Sequence, residues 1–271
     1  IQKSDEYLLV ELIENHNLDS EQLKTISNWV LGIENKDLSE KVLICLCQHS
    51  NLHTNQLHQI ISFMVSRSQK SLSRYIIRSP NLDHTHIQRI LNWAKRYSHS
   101  SVLWQLSGQS KLTPHHIFLI IHHSTKKRDG YILEKISRNK KINFFHICLI
   151  LNYAIKSSDG FLLENLLQHS FLDSSQIYTM ILWATKHSHT ILLDQLLLSD
   201  HLTYPQISEV LSWLIDHPQS AILYSLTKHQ NLSEEHIQKI IDFVLPEIAS
   251  RYSLTFEFLN LFTHPNLNLH Q

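Results

Sequence analysis

Glycine is scarce in this chain, with four residues in 271, alongside six prolines and three cysteines. Sheet-rich folds need many tight turns, usually glycine-bearing, so this scarcity favours helices. It also removes the raw material for local catalytic loops. Gly32, Gly108, Gly130 and Gly160 cannot build a glycine-rich phosphate loop, and no GxSxG elbow or HExxH pair occurs. These absences point away from an enzyme and call for no cofactor. Cys45, Cys47 and Cys148 form neither a CxxC pair nor a disulfide framework, so a reducing, cytoplasmic compartment is the simplest expectation. No apolar run approaches the ~20 residues that span a bilayer, and no signal peptide is visible. What is present is 42% hydrophobic residues and zero formal net charge, which fits a folded, soluble chain rather than a disordered one.

Self-alignment sets the architecture. An opening Leu or Ile recurs at 18, 52, 82, 112, 142, 172, 202, 232 and 267, with intervals of 34, six of 30, then 35. Counting each opening residue as position 1, position 2 is Asp19, His53, Asp83, Thr113, Asn143, Asp173, Thr203 and Ser233. All but His53 are preferred helix N-caps. Position 5 is Gln or His in all eight repeats: Gln22, Gln56, His86, His116, His146, Gln176, Gln206 and His236. That is the third helical position, where Gln closes a capping box and His can imitate it. Positions 6, 9, 10 and 13 are mostly apolar and form one helical stripe. A polar break near positions 16–19 precedes a second apolar set at 21, 22, 25 and 26. Each repeat reads as helix–turn–helix, and such units bury their stripes by stacking.

The expected fold is therefore all-α, a right-handed α-solenoid of eight full repeats with partial repeats at 1–17 and 267–271. Both ends read as parts of a longer array. The extra residues in "GIENKDLSEK" (32–41) and "LPEIASRYSL" (245–254) are expected to lengthen the loops between helices. Position 12 is aromatic in seven of the eight repeats, with His123 the exception. Packing between repeats is the expected role of these rings, ahead of base stacking. Trp104 lies outside that register.

The 21 histidines raise a metal site, and spacing argues against it. His115 and His122 are seven apart, as are His116 and His123, which is two helical turns or ~10.5 Å. Ligand nitrogens must converge within ~2 Å of one ion. Capping and surface roles are the expectation, and no metal site is assigned.

The zero net charge conceals an asymmetry. Residues 52–141 hold 15 Lys/Arg against Asp83, Asp129 and Glu134, a net of +12; residues 1–51 carry a net of −5 and residues 142–271 a net of −7. Position 15 is Arg96, Lys126, Lys156 and Lys186 in four consecutive repeats. Lys95, Lys127 and Arg128 flank it, and Arg67 and Lys70 extend it backwards. Cations at a helix C-terminus complement the helix dipole by ~0.3–1 kcal/mol, which accounts for one per helix but less well for a block of +12. A second group comprises Arg74, Arg78, Lys135, Arg138, Lys140 and Lys141. The first set is expected to form a basic ridge for an anionic partner, either an acidic protein surface or a phosphate-bearing polyanion.

"LTPHHI" (112–117), "LTYPQI" (202–207), "LDSEQL" (18–23) and "LSEEHI" (232–237) resemble the repeat openings of transcription-activator-like effectors, and "LCQHSN" (46–51) is similar to that family's repeat ending. The likeness covers the first helix of most repeats. It implies a bacterial helical-repeat protein that binds DNA. That family's repeats are longer and its base-reading loop usually contains glycine. Here the corresponding segment reads as helix, as in "LNWAKR" (91–96), so no base-specifying pair carries over. Function at this stage is expected to be a non-catalytic scaffold for a macromolecular partner, with DNA binding as the alternative. The composition also suits a bacterial effector acting inside a host cell.

Overall fold

The computed structural model describes residues 3–14, 17–33, 36–170, 172–199 and 202–251. The partial repeat expected at 267–271 lies outside them. All-α architecture is observed: sixteen helices and no strand among the described residues. Contacts divide the chain into two compact units, Ile1–His146 and Ile147–Gln271.

In the first unit the opening helices of successive repeats are α2 (Ser20–Leu31), α4 (Thr54–Arg67), α6 (His84–Arg96) and α8 (Pro114–Lys127). The closing helices are α1 (Lys3–Glu14), α3 (Lys36–Gln48), α5 (Lys70–Ile77), α7 (Ser100–Ser107) and α9 (Gly130–Ser137). Each opening helix packs on the next opening helix and on its own closing helix, and closing helices pack in their own row. α10 (Phe144–Ser157) begins at the end of this unit. The second unit repeats the scheme. Its later opening helices are α12 (Ser174–Lys186), α14 (Tyr204–Asp216) and α16 (Glu234–Arg251), and its closing helices are α11 (Gly160–Leu166), α13 (Thr190–Leu197) and α15 (Ser220–Thr227).

The core is the expected pair of stripes. Leu57, Ile60, Ile61 and Met64 of α4, and Ile207, Val210, Leu211 and Leu214 of α14, are buried. Leu72 and Ile76 of α5 close over the first set, and Ile222, Leu223 and Leu226 of α15 over the second. Each such side chain contributes about 1.5–3 kcal/mol by leaving water.

The opening helices are capped as the repeat predicts, save that α14 has only the half in which Gln206 Oε1 accepts from the Thr203 N–H at 2.7 Å. The Asp19 carboxylate accepts from the Gln22 backbone at 2.8 Å while Gln22 Oε1 accepts from the Asp19 N–H at 2.9 Å. Histidine performs the same exchange: His146 Nδ1 accepts from the Asn143 N–H at 3.2 Å, and Asn143 Oδ1 from the His146 N–H at 3.1 Å. His53, which is not a preferred cap residue, also caps, its Nδ1 accepting from the Asn55 N–H at 3.2 Å.

After the opening helix, position 17 adopts a left-handed conformation in five consecutive repeats: Ser68, Ser98, Arg128, Ser158 and Ser188, with φ between 51° and 56°. This residue reverses the chain into the closing helix in the manner of a left-handed C-terminal cap. In the repeat from 202 that position is Pro218, whose ring forbids positive φ; there α14 ends on His217 with φ −133°.

Two expectations need correction. The extra residues at 32–41 mostly extend a helix: α3 has 13 residues against eight in α5, α7 and α9. Those at 245–251 continue α16, an 18-residue helix. The first segment is rich in Glu, Lys and Leu, which favour continued helix over loop; α16 instead continues through Pro246, against the intrinsic preference of that residue.

Candidate functional site

The expected ridge residues sit at the C-terminal ends of opening helices. Arg67 ends α4, Lys95 and Arg96 end α6, and Lys126 and Lys127 end α8, with Arg128 as its cap. Lys70 is the first residue of α5, directly after the turn. Adjacent opening helices run in the same direction, because bonds join their N-terminal turns. Gln56 Nε2, for example, donates to the Ser20 carbonyl at 2.8 Å. The C-terminal ends of α4, α6 and α8 therefore share one edge of the first unit. Lys156 and Lys186 occupy the equivalent ends of α10 and α12 in the second unit.

Lys95 is half-buried and the other eight candidates are exposed. Among the described residues none of the nine forms a salt bridge. Aromatic rings support two of them: the Arg67 guanidinium lies 4.4 Å from the Phe63 ring centre and that of Arg96 5.6 Å from Tyr97. The edge is electrostatically continuous across helices. Burial holds the His123 imidazole below its ordinary pKa, and Lys95 of α6 together with Lys127 of α8 push it the same way. His99 is likewise lowered, by burial and then by Lys70. Helix dipoles are complemented by these cations; the Asp129 carboxylate lies at the same edge and opposes their effect on His123, but pairs with none of them among the described residues.

The aromatic slot proves structural. Phe63, Trp93, Trp183 and Trp213 are buried, so their faces are not free to stack on bases. Their partners lie in the turn that follows. Trp93 meets His99 edge-on with centroids 4.6 Å apart, and Trp183 and Trp213 stack on His187 and His217 at 4.7 and 5.2 Å. Trp29 is the exposed exception.

Most slot histidines are also structural. His86, His116, His146 and His236 are buried, and burial is the leading cause holding each below the ordinary imidazole pKa. A neutral ring is what their geometry requires. Nδ1 accepts from the cap N–H, leaving Nε2 to face the preceding repeat, as His146 Nε2 does at 3.0 Å from the Pro114 carbonyl. Among the described residues no group of three or more His, Cys, Asp or Glu side chains is arranged to hold a metal ion. Burial pushes the Cys45 and Cys47 thiols upward, away from the thiolate a nucleophile needs. Among the described residues no helix is long and apolar enough to cross a membrane.

Sequence reasoning missed the second task of position 5. Gln206 Nε2 donates to the Ser174 carbonyl at 2.7 Å, as Gln56 does to Ser20, and Gln176 reaches Cys148 Sγ at 3.1 Å. His236 Nε2 pairs with Ser208 Oγ at 2.8 Å. The slot needs an acceptor for its own cap and a donor for the preceding repeat. Gln and neutral His have both, whereas Glu, a standard capping-box residue, lacks the donor. The exclusion of Glu from all eight slots was the available signal.

Comparisons with family models, with curated proteins and with solved structures give no match.

Proposed function

We propose that this chain is a non-catalytic α-solenoid scaffold that binds a macromolecular partner through the basic edge of its first unit. The observation that carries the reading is the edge itself. Arg67, Lys70, Arg96, Lys126, Lys127 and Arg128 are exposed at one end of consecutive packed helices, without salt-bridge partners among the described residues. A row of like charges held on a rigid repeat raises the local potential and favours a partner with a matching row of anionic groups. Lys156 and Lys186 extend the same register in the second unit. The partner is a phosphate-bearing polyanion or an acidic protein surface. An intracellular setting, as a bacterial effector, belongs to the same proposal; it rests on three free cysteines and on composition.

The second reading is a DNA-binding repeat protein like the transcription-activator-like effectors. One observation favours it: the cations lie at the inter-helix turns, where position 17 is exposed and recurs in one conformation.

The test is binding of labelled duplex DNA, single-stranded DNA and polyglutamate to the full chain across a salt series. A polyanion contact is expected to weaken steeply with salt. The combined variant Arg96→Glu, Lys126→Glu, Lys127→Glu and Arg128→Glu is expected to lose about 100-fold in affinity while retaining its helical circular-dichroism spectrum, since each lost contact with phosphate is worth roughly tenfold or less. Preference for duplex DNA selects the second reading. Absence of binding to all three probes at low salt removes both.

A further inference from the structure

The first unit carries a second basic feature at its opposite end, where closing helices stop and the next repeat begins. Two adjoining cavities, of about 520 and 340 Å³, lie side by side there and share Gly108 and Lys135 in their walls. The larger is lined by Lys135, Arg138, Lys140 and Lys141 as well as small polar residues; the smaller adds Arg74, Arg78 and Trp104. Neither lining contains a carboxylate. Glu134 lies outside both and pairs with Arg138 at 2.8 Å, fixing that guanidinium at the rim.

Gly108 makes the concavity. It occupies position 27, which is Arg78 in the repeat before and Arg138 in the repeat after. Its φ is −84°, so backbone conformation does not demand glycine. A Cβ there would come within 3.2 Å of Lys135 Cε, a contact that the flexible end of Lys135 can relieve by a small shift. A missing side chain between two arginines leaves a hollow, and Lys135 lies across it with its ammonium 5.0 Å from the Trp104 ring centre. Trp104 is 47% exposed, the ring the sequence set outside the aromatic register. Cations at a helix C-terminus have a plain structural role, and Lys111 shows how a lysine at this end can be wholly structural, donating at 2.8 Å to both the Pro80 and Leu82 carbonyls. Lys141 occupies the repeat position of Lys111, but among the described residues neither its ammonium nor that of Lys140 makes such carbonyl contacts, and the dipole role does not account for the hollow between them and Arg78.

Shape distinguishes this feature from the ridge. The ridge cations stand on helix ends, whereas these six line cavities in the size range of small-ligand sites. We infer that the groove formed by Arg74, Arg78, Gly108, Lys135, Arg138, Lys140 and Lys141 is a binding site for a compact, multiply phosphorylated small molecule. Phosphate groups in the larger cavity engage Lys135, Lys140, Lys141 and the Glu134-oriented Arg138. A further phosphate reaches Arg74 and Arg78 across Gly108. Lys135 turns from the Trp104 face to the ligand. The site is separate from the proposed macromolecular edge and does not depend on it.

The experiment is calorimetric titration of the full chain with inositol hexakisphosphate and, separately, tripolyphosphate, with a short single-stranded oligonucleotide as the polymeric control. One saturable site is expected for inositol hexakisphosphate. The combined variant Lys135→Glu, Lys140→Glu and Lys141→Glu should weaken it about 100-fold, by loss and reversal of charge-assisted contacts. Gly108→Leu, which fills the hollow without changing charge, should weaken it at least tenfold. The ridge variant Arg96→Glu, Lys126→Glu, Lys127→Glu and Arg128→Glu should leave it within about threefold, the residue of long-range screening. Circular dichroism checks that each variant folds, and Lys→Arg at the same three positions should restore binding to a chain that has lost it. Undiminished binding by folded Gly108→Leu, equal losses from ridge and groove variants, tighter binding of the oligonucleotide than of either small polyphosphate, or no binding of either small polyphosphate at low salt overturns the site. Failure of the ridge variant to affect DNA or polyglutamate would sink the scaffold reading alone.

Discussion

At position 27, where the closing helix ends, the first unit has Arg78, Gly108 and Arg138, and the second has Gln168, Leu198 and Lys228. At position 23 the first unit has Arg74, Trp104 and Glu134, the second Glu164, Asp194 and Tyr224. Residues 1–146 hold 19 Lys/Arg and 12 Asp/Glu, a net of +7, whereas residues 147–271 hold five and 12, a net of −7. Yet the caps, the Gln/His slot, the buried stripes and the left-handed turn are common to both. Folding constrains the cap, slot, stripe and turn positions and leaves the rest to surface chemistry, so one helical scheme and opposite charge coexist. Substitutions at shared positions should act alike in both units, and those at unshared positions should not.

The largest shared effect is expected at the slot. Gln56→Glu and Gln206→Glu keep the cap acceptor but set a buried carboxylate against the Ser20 and Ser174 carbonyls. Each should cost about 3 kcal/mol in urea unfolding, through a lost donor and an unpaired buried charge. Gln→His at the same sites should cost far less. A large difference between the two Glu variants would break the equivalence of the units. Position 19 varies within each unit (Lys70, Ser100 and Gly130; Gly160, Thr190 and Ser220), so effects there should be local. A Cβ on Gly160 would collide with the His189 ring and approach Trp183 at 3.1 Å, and His189 Nδ1 accepts from the Leu192 N–H to cap α13. Gly160→Ala should therefore cost about 1–3 kcal/mol. Ser100→Ala, at the exposed counterpart in the first unit, should be near neutral.

Acid sharpens the comparison further. The slot holds His86, His116 and His146 in the first unit but only His236, with Gln176 and Gln206, in the second. Each of the four histidines has a folded pKa below its unfolded value, chiefly through burial. Unfolding then takes up protons, so stability is complete above the unfolded value of ~6.5 and falls as pH drops below it. Neighbours modulate the effect: Asp83 and Glu235 oppose the shifts of His86 and His236, while Arg89 and Lys239 reinforce them. Hydrogen exchange at about pH 7.5 and 5.5, corrected for intrinsic rates, should show the first unit losing more protection. Replacing its three slot histidines with Gln should flatten that difference; equal losses in both units would refute it.

Periodicity carried most of the fold because the cap and stripe positions recur in similar surroundings from one described repeat to the next. Asp19 with Gln22 and Thr113 with His116 announced their caps by spacing alone. What escaped the sequence depends on atoms about thirty residues apart. The partner of Gln206 Nε2 is a backbone carbonyl, which no side-chain pattern marks. The groove needs Gly108 beside Lys135 from the next repeat, and sequence identified its cations only as a second group. Of the two insertions expected to lengthen loops, "ENKDLSEK" has Glu, Lys and Leu that favour helix, whereas the second contains Pro246, which argues for a break that α16 does not make. The ridge was visible as a charge block. The absence of salt-bridge partners around Arg96 and Lys127 required coordinates.

The smallest predicted effect tests the turn both units share. Ser98 and Ser188 hold φ of 52° and 51° at position 17. A residue with a Cβ pays ~1–2 kcal/mol for that conformation, and Gly returns part of the gain through the greater freedom of its unfolded chain. Ser98→Gly and Ser188→Gly should each stabilise by about 0.5 kcal/mol, raising the melting temperature by roughly a degree in a chain of this size. Pro218 occupies the same position with a different turn, and Pro218→Gly should bring no such gain, because there is no left-handed strain to relieve and a rigid residue is lost. If Ser98→Gly and Ser188→Gly destabilise instead, serine's own contacts hold the turn, and its recurrence reflects those contacts rather than the geometry of the chain reversal.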